Sequence, residues 1–270
     1  MAATRIHSVR PPAVAGLFYP ADPGALTARI EALLDECGPG PQAADARVPR
    51  ALIAPHAAYP YSGPVAASAY RLLGRASGVR RIVLLGPSHY AGCRGVALPA
   101  AAMFATPLGT LGVDGEALRA LRELPCLIRS DSPHIREHSL EVQLPFLQHL
   151  FGDTPIVPIV TGSASATDIE AVIDALWEAR TLLIVSSDLS HYQPYHAAQA
   201  IDAGTARAIL EGREDLSAEQ ACGCIALNGL ARAARKRGLE PVRVDLRNSG
   251  DTAGDRRRVV GYGAFAFYGP

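Results

Sequence analysis

The 270-residue chain has no surplus of charge: 26 basic residues balance 26 acidic ones. Nothing in that balance suggests electrostatic capture of nucleic acid or of an anionic membrane. The densest basic clusters, Arg235–Arg237 and Arg256–Arg258, are short and read as solvated faces. Cysteine is scarce, and its five residues are odd in number and irregularly spaced, which argues against a disulfide framework and for a reducing compartment. No apolar run approaches the ~20 residues of a membrane span, and Met1–Arg10 lacks the apolar stretch of a signal peptide. The expectation is a cytoplasmic protein with neither nucleic-acid nor membrane partners. Internal repeats are missing, as are linkers rich enough to divide the chain, so one domain over residues 1–270 is expected. Three catalytic signatures are also missing. Gly86-Pro87-Ser88-His89 lacks the lysine and spacing of a P-loop, Ser88 sits in no Gly-x-Ser-x-Gly elbow, and there is no His-Glu-x-x-His pair.

What is present is a large supply of core, 49% hydrophobic residues against 19% charged, arranged as strands alternating with helices. Short apolar runs at Ala51–Ala54, Ile82–Leu85 and Leu182–Ser186 read as buried strands. Gly95–Leu98, Leu108–Val113, Ile156–Val160 (broken by Pro158), Pro241–Leu246 and Val259–Phe267 read as further strands, and Ala13–Tyr19 as a short one. Asp22-Pro23 supplies an N-cap and a first-turn proline for a helix over Ala25–Leu34, and Asp114 caps Glu116–Glu123. Helices are also expected over Pro64–Leu73, His138–Leu150, Thr167–Ala179, Tyr195–Leu210 and Cys222–Lys236, with a surface loop at Cys37–Ala44. The alternation predicts an α/β fold with a central mixed or mostly parallel sheet flanked by helices.

Three of the strand-like runs end in a histidine-bearing turn: His56 after Pro55, His89 after Gly86-Pro87-Ser88, and Asp188 to His191 after Ser186. Open α/β sheets bind ligands beyond the carboxyl ends of their strands, and neutral imidazole is the commonest metal ligand. Cys222 and Cys224 add thiols near a helix start. Two His and one Cys with open positions would suit Fe, Cu or Zn. Asp188 is placed to orient a site histidine or a bound water, and His191 to act as acid or base. Tyr59, Tyr61, Ser88, Glu137, His138 and Glu141 are candidates to line the pocket. Glu137, His138 and Glu141 read first as a capped helix start, with the pocket role second.

Four of these blocks together resemble a known family: Ile53-Ala-Pro-His-Ala-Ala-Tyr59, Leu85-Gly-Pro-Ser-His89, Glu137-His-Ser-Leu-Glu141 and Ser186-Ser-Asp-Leu-Ser-His191. They are similar to the signature blocks of the Memo family, also called AmmeMemoRadiSam system protein B. Arg10–Pro20 and Gly261–Phe267 resemble its opening and close. The resemblance implies a fold like that of class III extradiol dioxygenases and a pocket in which His56, His89 and Cys222 hold iron (Fe2+) or copper. It implies dioxygenase-like, O2-dependent oxidoreductase chemistry with Asp188 and His191 in the pocket. It also implies two alternatives, a non-catalytic module binding a small molecule or peptide, and an accessory component of a system with a radical-SAM protein. Cys stands where the dioxygenases use Glu, which counts against ring cleavage. Ala58 replaces the usual Gly of the first block, and Cys224 leaves open which thiol is the ligand.

Overall fold

A computed structural model describes residues 8–38, 47–74 and 78–270, so most of the expected Cys37–Ala44 loop, and residues 1–7, lie outside it. The core of the fold is four parallel strands in the spatial order Ala51–Ala54, Thr181–Ser186, Arg81–Pro87, Ile156–Thr161. Each is buried along its length apart from Arg81. A strand covered on both faces needs apolar residues at every position, which is why these runs do not alternate. Val259–Tyr268 extends the sheet antiparallel to Ala51–Ala54, and in turn pairs with Glu240–Asn248 and His191–Gln193. On the other side Val96–Leu98 and the edge strand Leu127–Arg129 complete nine strands. A second sheet of Val9–Arg10, Met103–Thr106 and Gly109–Gly112 stands apart.

The strand side chains divide the core in two. Leu52, Leu84, Val160 and Ile184 pack beneath the helices Pro23–Glu36, Tyr59–Tyr70 and Leu144–Phe151. Ile53, Leu85, Ile159 and Val185 pack beneath Ala166–Leu176, Tyr195–Leu210 and Cys224–Arg237. Among the described residues no helix is long and apolar enough to cross a membrane.

Several elements depart from the sequence reading. Ala13–Tyr19 forms turns closed by a Gly16 N–H to Tyr19 carbonyl bond of 2.7 Å, not a strand. The helix expected over His138–Leu150 begins late, as a 3-10 turn at Glu141–Gln143 and then an α-helix over Leu144–Phe151. Glu137 is turned toward His89 and Ser139, so it caps no helix. Pro158 does not break its strand. Its partner Leu84 lies on one side, while Val96–Leu98 pairs only at Val160 and Thr161, so the missing N–H falls where that neighbour makes no pair. The helix after His56 starts at Tyr59 and tolerates Pro64 in its second turn.

Candidate metal centre

Parallel pairing puts the carboxyl ends of the three histidine-bearing strands side by side. Ala54 is level with Ser186, and Leu85 with Val185. The Thr181–Ser186 strand lies in the middle, so His56 and His89 flank the turn that carries Asp188. Cys222 reaches the same place from the segment before the helix Cys224–Arg237. Gly223 lets it approach: a Cβ there would meet Ser187 Cβ at 2.7 Å and the Ser186 carbonyl oxygen at 2.9 Å. The Cys222 N–H donates to the Asp188 carbonyl (3.3 Å), and the Gly223 N–H to Ser187 Oγ (2.9 Å).

The donor atoms of His56, His89 and Cys222 all lie within 4.8 Å of one another, with His56 Nε2 3.3 Å from Cys222 Sγ. His56 is 1% exposed. Burial, reinforced by repulsion from His89, lowers its pKa to about 3, so the ring is neutral and free to ligate. His89 sits at the mouth. Its N–H donates to Glu137 Oε2 (2.6 Å) and its Nδ1 lies 2.8 Å from Glu137 Oε1. Burial alone would raise the Glu137 carboxyl. The His89 ring, with the backbone N–H groups of His89 and Ser139, overrides it and holds the pKa at about 2. A carboxylate only accepts, so His89 Nδ1 carries a hydrogen toward it, which leaves Nε2 as the ring's free side. Burial, then the Asp188 carboxylate, pushes the Cys222 thiol far above its usual range. Asp188 is itself raised by burial, and its Oδ1 accepts the His56 N–H at 2.8 Å. Two imidazoles and a buried thiol form a donor set that fits a divalent transition metal: a cation would offset the cost of ionising the sulfur.

The other expected residues are distributed around this cluster. His138 stacks on His89 (centroids 4.6 Å) and meets His56 edge-on (5.5 Å), between Phe18 and Tyr90. Its buried Nδ1 has no hydrogen bond, and burial lowers its pKa to about 4. His89, Glu137 and His138 form a second group of adjacent donor atoms, but Glu137 is already engaged by three N–H groups. The His191 Nδ1 is 2.8 Å from the Leu189 carbonyl, an obligate acceptor, so Nδ1 carries a hydrogen. Tyr61 is exposed, while Tyr59 is buried between Tyr19 and Phe146 with its hydroxyl donating to the Val142 carbonyl. Ser88 Oγ donates to the Ala91 carbonyl within its own turn. Glu141 faces away from the imidazoles: it accepts from Arg10, from the Ala13 and Val14 N–H groups and from the Tyr19 hydroxyl. Cys224 opens the following helix and packs against the apolar core. Ala58 has φ −59°, open to any L-residue.

Sequence reasoning passed over Ser186, Gln143 and Ser139, all fully buried beside His56. The one available signal was Gln143, a lone amide in the otherwise apolar run Val142–Leu147.

Fold and site together define an α/β protein whose strand ends gather a two-His, one-Cys group of metal-donor atoms. A family model described as Memo-like protein matches residues 10–266, and the chain belongs to that family. Curated relatives, each named MEMO1 family protein, agree. One from Aeropyrum pernix is 39% identical, covering 95% of this chain and 98% of its own. One from Ignicoccus hospitalis is 36% identical over 96% and 98%, and one from Aquifex aeolicus 34% over 94% and 97%. An uncharacterized protein from Escherichia coli K12 shares the fold at a TM-score of 0.51 and 15% identity, covering 80% of this chain and 99% of that one.

Proposed function

We propose that the protein binds one redox-active transition metal, iron or copper, through His56 Nε2, His89 Nε2 and Cys222 Sγ, and acts as an O2-dependent oxidoreductase on a small molecule. The observation that carries this reading is the convergence of those three donors from distant parts of the chain, within 4.8 Å. Three protein ligands leave positions open, as reactive sites do and closed structural zinc sites do not. The metal would supply one-electron redox chemistry at those open positions. The protein's own part is to hold and to move protons. Glu137 fixes the His89 ring, Asp188 fixes the backbone of His56, and His191, held through Nδ1 by the Leu189 carbonyl and partly exposed, serves as the acid or base toward substrate. The test is anaerobic metal titration of the wild type, Cys222→Ser and Cys224→Ser, followed by O2 consumption. Binding is expected to be lost only in Cys222→Ser. Undiminished binding there would exclude the assignment.

A second reading is favoured by the exposed Tyr61, Tyr90 and Tyr192, each of which follows a site histidine in the chain. Such a rim suits a non-catalytic module for a peptide, or for a radical-SAM partner. Affinity for a peptide or partner that survives chelation would favour it.

A further inference from the structure

The hydrogens around His56 can be counted, because every group involved is buried: Tyr70, Ser139, Gln143 and Ser186 are 0% exposed and His56 is 1%. The count starts from two carbonyl oxygens, which can only accept. The Pro55 carbonyl lies 3.0 Å from Gln143 Nε2. A flipped amide would set two acceptors against each other, so the nitrogen faces Pro55 and the oxygen faces Tyr70, whose hydroxyl donates to it at 2.8 Å. The second Gln143 hydrogen goes to Ser186 Oγ at 2.8 Å. The Ser139 carbonyl lies 2.6 Å from Ser186 Oγ and takes the one hydrogen that hydroxyl owns. Ser186 has then nothing left to donate. One lone pair holds the Gln143 hydrogen, and the other faces His56 Nδ1 at 2.9 Å. The ring nitrogen is the donor.

We propose that Ser186 is a positioning residue, oriented by Gln143, that locks His56 in the Nδ1–H tautomer and so aims a bare Nε2 at Cys222 Sγ. Among the described residues, Ser186 is the one hydrogen-bond partner of the His56 Nδ1. Ser186 is the last residue of the middle strand, level with Ala54, so the sheet itself holds the hydroxyl in place. Glu137 performs the same task on His89 with a carboxylate. The two histidines are thus set by different chemistries, one charged and near the mouth, one neutral and fully enclosed. A neutral hydroxyl suits the enclosed side, where a second carboxylate beside Asp188 would raise the cost of burying charge.

The purpose of the lock rests on the metal-binding reading, but the lock belongs to the metal-free protein, so the two can fail separately. The experiment is long-range 1H–15N correlation on metal-free protein with 15N-labelled histidine at pH 7, for the wild type, Ser186→Ala and Ser186→Thr. In the wild type His56 is expected to show a protonated Nδ1 and an unprotonated Nε2. Ser186→Ala is expected to lose that pattern, by mixing or by transfer of the hydrogen to Nε2, and to bind Fe2+ or Zn2+ about 10- to 100-fold more weakly. Ser186→Thr is expected to recover both. A wild-type His56 protonated at Nε2 would overturn the proposal whether or not any variant folds. So would a folded Ser186→Ala that keeps the wild-type tautomer. Loss of metal binding by the wild type itself would instead remove the metal reading and leave the tautomer result standing.

Discussion

Glu137 makes three hydrogen bonds to N–H groups of two residues, His89 and Ser139. Replacing it by Gln keeps the shape but sets an amide against at least one of those donors. Glu137→Gln is expected to weaken metal binding about 10- to 100-fold without abolishing it, and calorimetric titration would show the loss. Asp202 shows the opposite balance of burial and bonding. It lies beneath Gly261, with Oδ1 accepting the Ser190 N–H at 3.0 Å, and burial raises its pKa from the ordinary 3.8 to about 6. The folded state therefore holds this proton more tightly than the unfolded chain. Between about pH 4 and pH 6 the contribution of Asp202 to stability falls as pH rises, and above pH 6 the full penalty is present, on the order of 2–3 kcal/mol. Asp202→Asn, still able to accept from Ser190, is expected to flatten that slope and to stabilise the fold at pH 7–8. Urea unfolding at several pH values would show it, and an unchanged slope would count against the assignment. At this scale the sequence exposed His56, His89, Asp188 and Cys222, because each follows or precedes a recognisable element. It did not expose Ser186 or Gln143, whose roles arise only from the partners the fold brings to them.

At the scale of elements, local signals carried well wherever the chain itself satisfies them. Asp22 accepts from the Ala25 N–H and Asp114 from the Ala117 N–H, both as N-caps. Helix Tyr195–Leu210 has the limits its periodicity gives. The reading failed where tertiary contacts govern. Periodic leucines suggested a helix from His138, but Glu137, Ser139, Glu141 and Gln143 are all bonded to distant residues and hold that stretch out of a regular helix. Close approach between elements is equally invisible in sequence. Gly223 brings the Cys222 segment against the end of the middle strand with no room for a Cβ, so Gly223→Ala must move backbone. The expected cost is about 1–3 kcal/mol, with a weaker metal site. Chemical denaturation and metal titration of the same variant would test both. A variant that binds as tightly as the wild type would show that Cys222 does not depend on this contact.

For the whole molecule, the sequence indicated strands, helices and their alternation, but not the order of the sheet. The Thr181–Ser186 strand inserts between two strands that precede it by about a hundred residues or more, and nothing local encodes that insertion. The proposed ligands are correspondingly far apart: Cys222 is 166 residues from His56. A metal gripping them binds the folded chain and not the unfolded one, so at a free concentration 100 times its dissociation constant it should add about 2.7 kcal/mol to stability. Thermal unfolding with and without metal is expected to show an upward shift in Tm for the wild type and none for Cys222→Ser. An equal shift in both would place the stabilising metal elsewhere.

One short segment, residues 137–143, has a consequence for how the molecule can be cut. Glu137 steadies one imidazole, Gln143 and Ser139 steady the other through Ser186, and Glu141 between them is the anchor for Arg10, Ala13, Val14 and Tyr19. The Arg10–Tyr19 stretch and the His/Cys cluster thus hang from a single keel. Removing residues through Arg10 would leave Glu141 buried without its cation, and the damage would register first as disorder at His56 and His89, dozens of positions along the chain from the cut.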